Sequence, residues 1–544
     1  MTNATTGSDR IVPGQQPPAG ERSPLLARLV RPAVTHWQFA LVALVAILVR
    51  IVVILGYPPI LWFNDSYNYV YDAVRHVPDE VRPNGYPFFL DLLLPLRSAY
   101  PLALLQAAMG IVMGVAIYAL LRHRGLPWWG AALPALPVLF DSYELHLEHM
   151  VTADPLFIFL VTIAVVLLCW SDRPSVPVTA IAGLLIGYAA LVRSVGEPLL
   201  LVVLVGLLAR RVGWRRLATT LVAGIVPIAA YAFWFHSSTG KYALTESSGT
   251  FLYGRVSTFA ECAAIKPPAN LQVLCDPTPK FRRPVAGEYI WADNELGASA
   301  GTTTPLYNLT QSADTNWRFG PYVNGLTEKF ARDAIVAQPL DYLGTVAVDT
   351  LHTFGWNRQP DPNDYAGNGP AFQFVSGSEL NSLIPWWAGP QSPASYAQWM
   401  ADPAQATDVA ALRTYAARLD LGGPGAGNTR VVEPWAQLAQ GYQRYVYLRG
   451  TLLGIIVLIG LGGVLARRRR WSAIGLLPWL VGALLIVLPP MTAGFSYRYA
   501  LAAVPTACLA AGLAFARRPG EKSAGALTAD LRRRFSRSAA VEEE

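Results

Sequence analysis

The side chains best placed to do chemistry lie in short polar stretches beside long apolar segments. The first stretch reads PPILWFNDSYNYVYDAVRHV, and its i, i+4 and i+7 spacing places Asp65, Tyr69 and Asp72 on one face of a short helix. Asp65 follows an apolar segment by a few residues, so its carboxylate lies at the depth of a lipid phosphate. It could act on a substrate there, or it could simply cap the helix. We expect Asp72 to pair with Arg75 or His76.

A second stretch, DSYELHLEHMVTAD, gathers carboxylates and imidazoles without any basic residue. Glu148, His149 and Asp154 belong to this group, together with Glu144 and His146. Such a cluster could bind a divalent cation such as Mg²⁺ or Mn²⁺, although its spacing matches no known zinc signature. Polar loop contacts or binding of substrate hydroxyl groups explain the same residues equally well.

Three arginines stand at or within apolar segments, where charge is costly without a partner. Arg193 and Arg498 lie at the ends of such segments, close to carboxylates such as Glu197. Each could extend to the membrane interface or hold an anion. Arg50 lies inside an apolar segment and therefore needs a partner or a water-filled cavity.

The elements that must position these residues are membrane helices. Of the 544 residues, 53% are hydrophobic and only 15% are charged, whereas soluble domains carry about 25% charged residues. The fold class predicted is a polytopic α-helical membrane protein of about ten spans. The ten segments are 38–57, 99–121, 126–141, 151–170, 176–192, 197–209, 217–236, 446–465, 471–490 and 499–516.

The basic residues predict the orientation of these spans. Most Arg and Lys of the short connections fall on the side that holds both termini, including the run Arg467 to Arg470, which places that side in the cytoplasm. The polar residues singled out above then face the outside of the cytoplasmic membrane. The basic excess reports topology, so we expect no nucleic-acid partner.

The predicted organisation follows from the spans. A disordered tail precedes a transmembrane catalytic module with an external loop at 58–98, and a large extracytoplasmic domain follows before the last spans and a second tail. These parts are 1–35, 36–236, 237–445, 446–516 and 517–544. We expect the extracytoplasmic domain to be mixed α/β, with amphipathic helices near 325–337 and 340–354. Its tryptophans could stack on sugars or form its core: Trp291, Trp317, Trp356, Trp386 and Trp387.

The four cysteines agree with this organisation. Cys262 and Cys275 fall in the extracytoplasmic domain, on the oxidising side, where we expect a disulfide rather than two free thiols. Cys169 and Cys508 fall within spans, where a thiol behaves as a small apolar side chain.

Several motifs, taken in order, resemble the GT-C superfamily of membrane glycosyltransferases. They are Asp65 after the first span, Gly85-Tyr86-Pro87, Glu148-HMVTADPLF, Leu191-Val-Arg193, and Arg498-Tyr499 with Pro505. The superfamily includes protein O-mannosyltransferases, aminoarabinose transferases and arabinofuranosyltransferases. The resemblance covers 38–255 and 446–516, and it is weak across 256–445.

The resemblance implies an inverting transfer of a sugar from a polyprenyl-phosphate donor to the hydroxyl group of a glycan, lipid or protein acceptor. Asp65 would be the general base, and Arg193 and Arg498 would bind the donor phosphate. The family often carries a second acidic residue after the aspartate, where this chain has Ser66, so any metal role shifts to Glu148 or Asp154. His149, Tyr69 and Tyr86 are further candidates for substrate or metal contact.

Two other functions stay open from the sequence. A transporter or flippase of lipid-linked sugars would show internal repeats or charges at span centres, and we find no repeat. An O-antigen ligase or polymerase would concentrate its Arg and His residues in one late loop, whereas the motifs here extend from the first span to the last.

Overall fold

The computed structural model describes residues 36–96, 98–291, 304–312, 318–358, 373–374, 376, 429–466 and 472–516. The predicted tails, the run Arg467 to Arg470, and Trp317, Trp386 and Trp387 lie outside these residues. The described chain is helical throughout, and its one β-bridge joins Leu61 to Met150 in parallel.

The helices follow one another with short connections. The α-helices are Trp37–Gly56, Asn64–Arg75, Gly85–Asp91, Tyr100–His123, Trp128–Ala132, Leu136–Phe140, Ser142–Glu148, Asp154–Trp170, Val176–Val192, Leu199–Ala209, Trp214–Thr239, Ser248–Ser257, Cys262–Ile265, Ala286–Trp291, Pro305–Ser312, Pro321–Ala337, Pro339–His352, Trp435–Tyr445, Gly450–Ala466, Ser472–Thr492, Tyr497–Leu501 and Val504–Ala514. Short 3₁₀ turns lie at Leu94–Leu96, Leu133–Ala135, Ser194–Gly196, Ala269–Leu274 and Lys280–Arg282.

Four described helices are long and apolar enough to cross a membrane, which makes the chain a membrane protein. They are Trp37–Gly56, Tyr100–His123, Trp214–Thr239 and Ile474–Thr492. A fifth candidate is the pair Trp435–Tyr445 and Gly450–Ala466, which is bent by 55°. Four shorter apolar helices coincide with predicted spans but have only 10–17 residues. The count of ten spans is therefore not confirmed.

The bundle has two chemically different ends, which the helix Asp154–Trp170 connects. At its C-terminal end Arg124 donates to the carbonyl oxygen of Cys169 at 2.6 Å, and Arg210 donates to that of Leu168 at 2.7 Å. Cations there complement the negative end of the helix dipole. Asp154 begins the helix at the opposite end, about 25 Å away at 1.5 Å per residue.

The segment 237–445 differs from its prediction. Its described residues form helices and loops, so the mixed α/β fold is not confirmed. The two amphipathic helices are present as Pro321–Ala337 and Pro339–His352. Tyr253, Phe330 and neighbouring apolar residues form a separate core for this segment. Cys262 and Cys275 form the expected disulfide, and Cys169 and Cys508 are buried free thiols.

Candidate active site

The candidate site forms where the helix Asn64–Arg75 meets the start of Asp154–Trp170. Leu61 holds the two together, because its N–H donates to His149 O at 2.9 Å and its carbonyl accepts from Val151 N at 3.0 Å. Ser66 Oγ accepts from Phe63 N at 2.8 Å and donates to Val151 O at 2.6 Å. Ser66 therefore fixes the first turn of the helix.

Both carboxylate oxygens of Asp65 accept hydrogen bonds from arginines. Arg82 Nη2 donates to Oδ1 at 2.6 Å, and Arg498 Nη1 donates to Oδ2 at 2.9 Å. The Asp65 side chain is 18% exposed. These contacts differ from those of a helix cap, the alternative that the sequence left open.

Arg498 joins Asp65 to a second carboxylate. Its Nε donates to Asp154 Oδ2 at 2.8 Å, and its Nη2 donates to Thr152 Oγ1 at 2.9 Å. The Thr152 hydroxyl donates to the same Asp154 oxygen at 2.7 Å. Arg498 is only 6% exposed, so this guanidinium is held in one orientation by partners on all sides.

Arg193 completes the network from the end of the helix Val176–Val192. Its Nη1 contacts Asp154 Oδ1, and its guanidinium carbon lies 5.2 Å from the ring centroid of Tyr499. A guanidinium over an aromatic face at this distance is a cation–π contact. The structure thus brings Asp65, Asp154, Arg193 and Arg498 together from separate parts of the chain.

The network lines a cavity of about 650 Å³, which is within the range of small-molecule sites. Tyr69 and Arg82 line it beside Asp65. Leu485, Leu488 and Pro489 from the end of the helix Ser472–Thr492 give it an apolar wall. Another part of the lining comes from the segment that follows residue 240: Thr245, Ser247, Ser248, Phe251, Gly287 and Trp291. The cavity therefore combines cations, the carboxylates of Asp65, Asp154 and Glu197, and an apolar wall.

Electrostatics keep Asp65 ionised. Burial alone raises the pKa of its carboxyl group, but the nearby guanidiniums of Arg82 and Arg498 outweigh burial and hold this pKa well below its usual range. Burial and the charge of Asp65 raise the pKa of Tyr69. The cavity thus presents an ionised carboxylate beside a neutral phenol.

Tyr86 lies outside the cavity, contrary to the expectation of substrate contact. Its hydroxyl donates to Gln106 Oε1 at 2.8 Å, and its ring packs edge-to-face on Tyr69 at 5.0 Å. The preceding Gly85 lies against the backbone of Leu191, which leaves no room for a Cβ atom. The Gly-Tyr-Pro motif therefore packs the loop onto the bundle and supports Tyr69 from behind.

Glu148 and His149 also lie outside the cavity. Arg50 donates to both oxygens of Glu148 at 2.7 Å, so Glu148 is the partner that the buried Arg50 needed. His149 Nε2 lies 2.8 Å from Tyr57 O. Among the described residues no three His, Cys, Asp or Glu side chains are grouped to hold a metal ion. Asp154 is the one member of the predicted metal set that lines the cavity, and arginines occupy its oxygens.

Arg82 is the functional candidate that sequence reasoning missed. It lies in the predicted external loop 58–98, and it contacts Asp65 directly. Its position in RPNGYP, immediately before the Gly-Tyr-Pro motif, was the available signal. Asn84 holds this loop, since its side chain donates to Val77 O at 2.9 Å and accepts from the Tyr231 hydroxyl at 2.8 Å.

Comparison with known proteins adds little to this geometry. No protein-family model and no curated protein matches the chain. Among solved structures, it is similar to the S. cerevisiae protein O-mannosyltransferase Pmt1–Pmt2 complex bound to the sugar donor, with 17% identity and a TM-score of 0.31. The similarity covers 40% of this chain and 35% of that chain. We base no argument on a likeness of this extent.

Proposed function

We propose that the chain is an inverting glycosyltransferase that moves a sugar from a polyprenyl-phosphate donor to an acceptor hydroxyl at the outer face of the cytoplasmic membrane. The observation that carries the proposal is one cavity that is lined by Asp65, Arg193 and Arg498, in which Arg498 binds Asp65 and Arg193 binds Asp154. A carboxylate base and phosphate-binding arginines are the two components that this transfer needs.

The donor would use both sides of the cavity. Its prenyl chain fits the apolar wall of Leu485, Leu488 and Pro489. Its phosphate would accept hydrogen bonds from Arg498 and Arg193, whose planar guanidiniums suit phosphate oxygens. Because both arginines now bind carboxylates, the donor phosphate must compete with Asp65 and Asp154 for them.

That competition would activate the base. Arg498 lowers the basicity of Asp65 while it binds Oδ2, and its transfer to the donor phosphate would raise this basicity as the substrate arrives. The acceptor hydroxyl would then give its proton to Asp65 while its oxygen attacks the anomeric carbon. The bond from that carbon to the phosphate oxygen breaks, and polyprenyl phosphate leaves toward the arginines.

The geometry supports an enzyme over a transporter. A transporter of lipid-linked sugars would need polar groups along a path between the two sides of the membrane. Arg50, the charged residue within the first span, instead forms a buried ion pair with Glu148 and is 4% exposed. The charged network gathers at one end of the bundle, where the cavity lies.

Two substitutions test the proposal in the full-length protein. The donors are short-chain polyprenyl-phosphate hexoses and pentoses, and the readout is release or transfer of the sugar. We expect Asp65→Asn to lower kcat about 10²- to 10⁴-fold, the usual contribution of a general base. We expect Arg498→Ala mainly to raise the KM for the donor, because it removes phosphate contacts.

The matched control is Asp172→Asn, which removes a carboxylate at the opposite end of the bundle, where Asp172 binds Arg124 at 2.7 Å. It should leave turnover unchanged. Full activity of Asp65→Asn would remove the mechanism. Donor dependence unchanged in Arg498→Ala would remove the phosphate role.

A further inference from the structure

The wall of the cavity that comes from the segment after residue 240 has chemistry of its own. Thr245, Ser248, Phe251 and Trp291 line it beyond the charged network. We propose that this wall binds the acceptor, that the acceptor is a saccharide, and that Trp291 is the surface on which its ring stacks. This inference rests on the proposed function and names the class of its acceptor.

Trp291 is fixed close to the reacting groups. Its ring lies 5.3 Å from that of Phe319 and 6.1 Å from that of Phe251, measured between centroids. The guanidinium carbon of Arg82 lies 6.0 Å from the Trp291 ring centroid, and Arg82 also donates to Asp65. Arg82 therefore links Trp291 to Asp65, so that one side chain separates a ligand stacked on the indole from the proposed base.

The remaining groups on this wall suit a polyhydroxylated ligand. Trp291 is only partly buried, Thr245 is half-buried, and Ser248 is exposed. A sugar ring has an apolar face of C–H groups that packs on an indole, and a rim of hydroxyl groups that pair with hydroxyl side chains. Ligand sites commonly combine an aromatic surface with a few placed polar groups in this way.

A peptide acceptor fits this wall less well. Extended peptides are commonly bound by addition to a sheet edge, and in the described chain the walls of the cavity are helices and loops. The N-terminal amides of the helix Ser248–Ser257 are already used, because Asn324 Oδ1 accepts from Gly249 N at 2.8 Å and from Thr250 N at 3.1 Å. Recognition on this wall therefore falls to side chains.

The structure also separates Trp291 from Trp356, the other described tryptophan that the sequence offered for sugar stacking. Trp356 is exposed and lies outside the cavity, with its ring 5.5 Å from the guanidinium carbon of Arg449. It is the matched control for Trp291, since it is an aromatic residue of the same segment without access to the network.

The experiment compares acceptors in the full-length protein with whichever polyprenyl-phosphate donor it hydrolyses. The acceptors are p-nitrophenyl glycosides, a short peptide with Ser and Thr, and farnesol. We expect Trp291→Ala to raise the KM for the best glycoside about tenfold, which corresponds to the loss of roughly one stacking contact. Trp356→Ala should leave both donor hydrolysis and the glycoside KM unchanged, and Trp291→Phe should retain most of the glycoside affinity.

The outcomes separate the two proposals. A chain that turns over no donor at all overturns the proposed function and the acceptor assignment with it. Donor hydrolysis without transfer to glycosides, or better transfer to the peptide or to farnesol, overturns the saccharide assignment alone. A glycoside KM that is unchanged in Trp291→Ala, or raised equally in Trp356→Ala, removes Trp291 from the acceptor site.

Ser248→Ala, which removes a hydroxyl without disturbing the aromatic packing, should also raise the KM for the glycoside.

Discussion

Arg498 is the residue on which the candidate site depends, because one guanidinium binds carboxylates from two distant parts of the chain. It contacts Asp65 on one helix and Asp154 on another. The sequence indicated all three through their positions at span ends. It could not indicate that Asp65 and Asp154 share one arginine, since that contact depends on how the helices pack.

It was easier to predict which residues matter than to predict which partners they contact. Asp72 was expected to bind Arg75 or His76. His76 Nε2 lies 3.0 Å from Asp91, and the Arg75 side chain lies outside the described part of the structure. The Asp72 carboxyl also interacts with that of Asp79, and burial followed by the Asp79 charge raises the pKa of Asp72 to about 9. The i, i+4 spacing relates residues of one helix only. It carries no information on Asp79, a loop residue that folds back toward this helix.

This raised pKa predicts a pH-dependent stability. An acid with a raised folded-state pKa gives its full contribution below its unfolded pKa of about 4, and that contribution is lost as the pH rises toward the folded value. Asp72→Asn imitates the protonated acid. We therefore expect its gain in Tm over the unmodified protein to be small near pH 5 and to grow toward pH 9, by thermal unfolding in detergent.

Asp65→Asn is the opposite control, because its pKa is lowered in the folded protein. Its contribution is present above the unfolded pKa, so this variant should lose Tm at neutral pH. A gain in Tm for Asp72→Asn that is the same near pH 5 and near pH 9 would show that Asp72 and Asp79 do not share a proton. Asp79→Asn should relieve the same repulsion.

At the scale of elements, a buried ion pair joins three helices. Arg50 on Trp37–Gly56 binds Glu148 on Ser142–Glu148, and Gly110 on Tyr100–His123 leaves the space for both. A Cβ atom at Gly110 would collide with Glu148 and would lie 2.6 Å from Arg50 Nη2. These contacts fix the turn that leads from Glu148 to Asp154.

Breaking this pair from one side should be costly. Glu148→Gln leaves a buried guanidinium without its counter-charge, and we expect a loss of about 3–5 kcal/mol in the free energy of unfolding. The double variant Arg50→Met with Glu148→Leu should recover much of this loss, because it removes both charges. Urea unfolding in detergent measures both.

The exposed pair Arg332–Glu328 provides the control for this experiment. Its removal should cost less than about 1 kcal/mol, since water screens exposed pairs. A loss for Glu148→Gln as small as that of the exposed pair would mean that water reaches Arg50, which would reopen the transporter hypothesis.

Element boundaries could be predicted where local chemistry sets them. The first span ends at Gly56 before the prolines, close to its predicted end, and the amphipathic helices predicted near 325–337 and 340–354 are Pro321–Ala337 and Pro339–His352. The predicted spans 176–192 and 197–209 likewise match Val176–Val192 and Leu199–Ala209, with the turn Ser194–Gly196 between them. Hydropathy measures how apolar a segment is, and it could not show whether such short helices cross the membrane.

At the scale of the whole molecule, a group of basic residues and the candidate site occupy opposite ends of the bundle. Arg124 and Arg210 lie at one end, and the candidate site lies at the other. The excess of cations predicts that the first end faces the cytoplasm. The segment 237–445, which provides Trp291, then faces outward.

Thiol labelling in intact cells tests this orientation. We expect Tyr322→Cys, on the exposed surface of Pro321–Ala337, to react with a membrane-impermeant maleimide without permeabilisation. Arg215→Cys, near the basic end, should react only after permeabilisation. The native cysteines add little background, because two are buried and two form the disulfide. The reverse pattern would place the site in the cytoplasm and remove the proposed donor orientation.

The contacts of Asp65 and Asp154 with Arg193 and Arg498 have a consequence for the turnover rate. A sugar-bearing phosphodiester carries one negative charge, but the prenyl phosphate left behind carries up to two near neutral pH. Under the proposed function, the guanidiniums would bind the prenyl phosphate product more firmly than the sugar-bearing donor. For such an enzyme the rate-limiting step would be release of prenyl phosphate into the bilayer. A new cycle could begin only after the carboxylates bind the arginines again.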